Sequence, residues 1–160
     1  MEPAQLIDKY LSGIQVLRDA TAGMTREQLV ARPVPGKWST MEVVCHLADF
    51  EPIYADRMKR TVAEDNPAVM SANEQRYAAA LYYQDRDLEE ELDLIERIRR
   101  NQSRILRALP ATAWQRACVY RYDGKEETRT LERLVTLMGN HIPHHVTFIL
   151  EKRRLLGLAG

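Results

Sequence analysis

The chain has 160 residues, with 23 Lys plus Arg balanced by 23 Asp plus Glu, four His and two Cys. That length sets a single domain with a real core, and a formal net charge of zero excludes a dedicated nucleic-acid binder, whose affinity rests on excess positive charge. No apolar run reaches membrane-spanning length, the start MEPAQLIDKYL has no signal-peptide character, and two isolated cysteines give no disulfide framework, so the chain reads as cytoplasmic.

In chain order, residues ~3–20 form the first expected helix, with Pro3 in its first turn and Leu6, Tyr10, Ile14 and Leu17 along one face. Thr25 to Gln28 matches a capping box for a short helical turn. After the breaker-rich ARPVPGK, Ser39 and Glu42 make a second capping box, and a helix runs from there to about Val62. Its apolar side carries Val43, Val44, Leu47, Phe50, Tyr54 and Met58; Glu51 falls on the outer side, and Pro52 kinks the helix or spoils one turn. Residues 65–84 are a loose crossover with a short helix near its end.

The third long helix, ~86–109, begins in acidic residues and ends in Arg97, Arg99, Arg100, Arg104 and Arg107. The helix dipole and i,i+4 pairing account for that polarity, and the arginines read as a solvated helix end. Pro110 stops it. Asp123-Gly124, between aromatic and β-branched residues, signals a short hairpin or an irregular loop. A last helix covers ~129–154. The sum is an all-α protein, a four-helix bundle with a long crossover between its second and third helices and a short hairpin ahead of the fourth.

Chemistry concentrates in GNHIPHHVTF, residues 139–148. On a helix, His141 and His145 project side by side, the spacing that offers two imidazoles to one metal ion; His141 and His144 are a second geometric option. His46 lies on the core side of the second helix, within bundle distance of the pair. Three neutral imidazoles leave one coordination position open, the ligand count of catalytic zinc sites. Asp49, nearly on the face of His46, is the candidate catalytic residue, orienting a ligand or taking a proton from bound water. A helix that restarts at Pro143, with Asn140 as its cap, would instead carry His141 off the face of His145. Trp38 and Ser39 have a structural reading as staple and cap, and Cys45 reads as a small buried hydrophobe.

PGKWSTMEVVCHLADFE (35–51) together with HIPHH resembles the DinB/YfiT-like superfamily, and the resemblance runs over nearly the whole chain. It implies the DinB/YfiT type of bundle, commonly a homodimer, with one divalent transition metal per chain (zinc or nickel, or iron) on His46, His141 and His145. It also implies a small-molecule substrate, and either transfer chemistry with a low-molecular-weight thiol or metal-dependent hydrolysis. The alternative is a non-catalytic metal-binding stress-response bundle. Val146-Thr147-Phe148 replaces the Arg-Gly-Gln that follows the last histidine in many members, so the metal site carries over and a substrate does not.

Overall fold

The computed structural model describes residues 1–158. Four long helices make the bundle: α1 (Pro3–Thr21), α3 (Thr40–Ala63), α5 (Leu88–Arg107) and α6 (Leu131–Leu155), with the short α2 (Arg26–Val30) and α4 (Glu74–Ala80) in the connections. The packing is not sequential. α1 and α3 each pack principally on α5 and α6, so α1 stands across the bundle's diagonal from α3, and α5 from α6, while α3 and α5 are neighbours.

The expected caps form. Ser39 Oγ accepts from the amide of Glu42 at 3.1 Å, and the Glu42 carboxylate accepts from the amide of Ser39 at 2.7 Å. The Thr25 box closes in the same way on Gln28. Trp38 packs with Val43 as a hydrophobic staple, fixing the entry of the chain into α3. Asp87 caps α5, whose first turn is acidic and last turn basic. Neither proline breaks its helix: α3 runs through Pro52 and α6 through Pro143. No new start occurs at Pro143, and the side chain of Asn140 bonds back to the carbonyl of Thr136 instead of capping.

The hairpin forms too, as β2 (Ala117–Tyr122) antiparallel to β3 (Lys125–Thr130). Asp123 and Gly124 both have positive φ, 45° and 73°, the signature of a tight two-residue hairpin turn. A third strand, β1 (Ala68–Met70), lies parallel to β2 within the crossover, and sequence reading leaves it as loop. Three residues are too few for a legible alternation, and its partner lies about fifty positions away.

Two expectations about charge are overturned together. Glu51, expected at the outside, and Arg99, expected in a solvated cluster, are both 0% exposed and form an ion pair in the middle of the bundle. Arg99 Nε donates to Glu51 Oε1 at 2.6 Å, Arg99 Nη2 to the carbonyl of Met138 at 3.1 Å, and Tyr10 OH to Glu51 Oε2 at 2.9 Å. The Arg99 guanidinium also lies over the Tyr10 ring at 4.4 Å. Each charged group therefore brings its partners with it, the condition under which charge is tolerated in a core. Gly13 makes room for it: a Cβ there would stand 2.6 Å from Arg99 Nη1. The i,i+4 pairing expected on α5 appears as Glu96–Arg100 at 2.6 Å, and Asp93 pairs with Arg18 of α1 at 2.7 Å.

No helix among the described residues is long and apolar enough to cross a membrane.

Candidate metal centre

α3 and α6 supply the site. His46 stands in the first half of α3 and is 1% exposed, while His141 and His145 stand in the middle of α6, partly buried. Because α6 stays helical through Pro143, His141 and His145 keep a common face. Their ring centroids are 4.8 Å apart, and each ring also approaches His46, at 5.1 and 4.8 Å. His46, His141 and His145 are the described group of three that could hold a metal, with one ligand atom from each lying within 4.8 Å of the others. The geometry thus chooses between the two spacings. His144 is exposed and stacks edge-on against Phe148 and His145 from outside.

The fit to a metal ion can be tested on distances. His46 Nε2 and His141 Nε2 face each other at 3.2 Å. Two imidazole nitrogens each ~2.0–2.1 Å from one tetrahedral ion stand roughly 3.3 Å from each other. Electrostatics agrees. Burial, the largest cause in each case, pushes the pKa of His46 down to about 4, of His145 to about 3 and of His141 to about 2; for the last two, neighbouring histidines push the same way. All three rings are therefore neutral at neutral pH, with a lone pair to donate.

The rings are oriented by packing more than by hydrogen bonds. Nδ1 of His46 and of His141 are buried with no hydrogen-bond partner among the described residues. Neither has the carboxylate or carbonyl that commonly fixes a ligating imidazole. Instead His46 lies between Trp38 and Phe50, with centroids at 5.2 and 4.4 Å. Phe50 is one turn on from His46, and Trp38 is held by the staple that starts α3.

Asp49 does not join this cluster. Its carboxylate accepts from Tyr83 OH at 2.8 Å and from Arg86 Nη1 at 2.8 Å, both residues of the crossover, and it bonds to none of the three histidines. It acts on His46 only as a nearby charge. The carboxylate that does approach is Glu74, at the start of α4, with Oε2 4.0 Å from His46 Nε2. Sequence reading missed Glu74 because nothing local marks it; its place follows from how the crossover folds back. Cys45 is buried, donates to the carbonyl of Tyr83, and has its thiol pushed up to about 12 chiefly by burial, so it is no nucleophile. Cys118 is likewise buried, in β2.

A cleft of about 470 Å³ opens beside the histidines. Trp38, Val34, Val43 and Phe148 give it apolar walls, and His145 and Glu74 stand in its lining. This is the size and character of a small-molecule site.

The family model of the DinB superfamily matches residues 11–149. The chain is 30% identical over 141 residues to YfiT of Bacillus subtilis, which is named a "putative metal-dependent hydrolase"; the match covers 88% of this chain and 78% of that protein. It is 28% identical over 155 residues to a Bacillus licheniformis protein named in the same way, covering 94% of this chain and 87% of the relative. The solved structure of Bacillus subtilis YfiT, described as a probable metal-dependent hydrolase with an unusual four-helix bundle topology, aligns with a TM-score of 0.90 at 25% identity, over 99% of this chain and 89% of that one.

Proposed function

The chain belongs to the DinB superfamily, and we propose that within it this protein is a metal-dependent enzyme acting on a small molecule. His46, His141 and His145 would hold one divalent ion, zinc or nickel, beside the cleft, and three protein ligands would leave it a position for substrate or water. The observation that carries the reading is the convergence of three neutral imidazoles from two helices beside a cavity of small-molecule size. When bound, the ion supplies Lewis acidity and lowers the pKa of a water or thiol at its open position.

The chain's own residues do the rest. Burial keeps the three rings unprotonated, so metal binding competes with protons only at acid pH. Trp38 and Phe50 hold the His46 ring and keep its inner side dry. Glu74, exposed to solvent at the cleft, is placed to accept the proton of the nucleophile. Asp49 serves as a positioning residue, because Tyr83 and Arg86 already occupy its carboxylate. Hydrolysis is the form favoured by the names of the relatives. Transfer of a low-molecular-weight thiol uses the same open position.

Metal content by mass spectrometry, on wild type beside His46→Ala, His145→Ala and His144→Ala, is the test. The expected result is near one divalent ion per chain in wild type and in His144→Ala, and loss of the ion in the other two. Wild type that retains no zinc or nickel after loading and dialysis would overturn the reading. A metal-loaded protein inert toward both esters or amides and thiol–electrophile pairs would overturn its catalytic part.

A further inference from the structure

Lys152 is a lysine in an unusual place. It is 3% exposed, yet it lines the cleft with His145. Its ammonium carries three donors, and one is assigned, to the carbonyl of Phe148 at 3.0 Å. No carboxylate stands within ion-pair distance of it among the described residues. Glu42 and Glu151 act on it only through the field: Glu42 is fully taken up by Arg32 and the Ser39 cap, and Glu151 is exposed at the rim. A lysine near a helix C-terminus ordinarily reaches out to solvent, where it complements the dipole. This one stays inside, and desolvation lowers its pKa. A buried cation without a counter-charge is costly unless something anionic completes it.

Its position gives that anion a place. Lys152 follows His145 by two helical turns, which on an α-helix is nearly the same face and roughly 10 Å further along the axis. Both side chains line the same cleft. Trp38 and Phe148 give that cleft apolar lining, and the exposed Lys37 lines it too.

We propose that the cleft selects small molecules carrying an anionic group, a carboxylate or a phosphate, about two helical turns from the reacting atom, and that Lys152 binds that group. The proposal rests on the metal-site reading above, to which it adds a substrate class. The residue is a specificity determinant that touches the remote end of the ligand.

The test uses a bifunctional probe on the zinc-loaded protein: pimelic acid monohydroxamate, whose hydroxamate chelates the metal, against the same molecule with its carboxylate converted to the primary amide. Affinities come from calorimetry on wild type and Lys152→Met. In wild type the carboxylate compound should bind at least about tenfold tighter than the amide, the size of one charge-assisted hydrogen bond, and the advantage should shrink as salt is raised. In Lys152→Met the two should bind alike, with the amide unchanged from wild type. Equal binding in wild type, or a preference that survives in Lys152→Met, overturns the anion subsite and leaves the metal site standing. Wild type that cannot be loaded with zinc overturns the metal-site reading itself, and failure of both probes to bind the zinc-loaded protein overturns the subsite together with an accessible metal. Should Lys152→Met not fold, the carboxylate-to-amide ratio and its salt dependence in wild type still decide.

Discussion

Arg99→Met should be among the most destabilising single substitutions in this protein. Both side chains of the Arg99–Glu51 pair are fully buried, so removing the guanidinium leaves a carboxylate in the core with only Tyr10 OH to satisfy it. It also strips a donor from the carbonyl of Met138. Breaking a buried pair in this one-sided way costs about 3–5 kcal/mol, and for a domain of this length each kcal/mol shifts Tm by roughly 2–4 °C. The expected fall in a thermal melt is therefore roughly 6–20 °C. Glu51→Gln placed on top removes the orphan charge and keeps an acceptor for Tyr10, so it should restore part of the loss. The same change should weaken metal retention, because Arg99 ties Glu51 of α3 to Met138 of α6, the two helices that carry the histidines. A loss below about 1 kcal/mol, or a double variant worse than Arg99→Met, would refute this account of the core.

Metal-free protein should lose stability as pH falls below about 6.5. His46, His141 and His145 have native pKa values of about 4, 2 and 3 against 6.5 unfolded, so in that window the unfolded state binds more protons and acid favours it. Melting curves between about pH 7.5 and 4.5 should show that slope, and His145→Ala should flatten it; an unchanged slope would refute the assignment. Gly13→Ala should destabilise by about 1–3 kcal/mol, as overpacking does, because its Cβ meets Arg99 Nη1; a neutral melt would mean the guanidinium can move aside. Asp49→Asn should loosen the crossover and lower Tm while metal content stays at wild-type level, and Glu74→Gln should reduce turnover without either effect. Loss of metal in Asp49→Asn would put Asp49 back among the groups that serve the ion directly.

The bundle was legible because local signals coincide at its helix starts. Ser39 with Glu42 and Thr25 with Gln28 each name a beginning. Asp123-Gly124 names the hairpin turn, since few other dipeptides accept two positive φ angles. Helical spacing left His141 paired with His145 or with His144, and the two motifs of the resemblance pointed to His46, His141 and His145. What was hidden depends on pairing at long range. Glu51 and Arg99 look like surface residues individually, and they are buried because each supplies the other's charge across the bundle. β1 has no pattern of its own and exists through β2. On spacing alone, the choice of His145 over His144 needed the fact that Pro143 leaves α6 unbroken, and a proline in a sequence argues the other way.

Asp49 and Glu74 illustrate how position on a helix and position in a site come apart. Asp49 lies one turn from His46, and sequence spacing alone makes it the natural partner of that ring. The crossover changes this. Arg86 and Tyr83 descend onto Asp49, with the Arg86 guanidinium lying over the Tyr83 ring at 4.9 Å, and they anchor the end of the crossover to α3. The same crossover carries α4, whose first residue is Glu74. A carboxylate near the histidines is thus spent on holding the segment that brings a second, freer carboxylate to His46. The long connection between the second and third long helices is then part of the site's construction: it contributes one wall, one charge and the tether that fixes both. Variation in this segment would change what enters the cleft while leaving the three histidines, on the rigid α3 and α6, where they are.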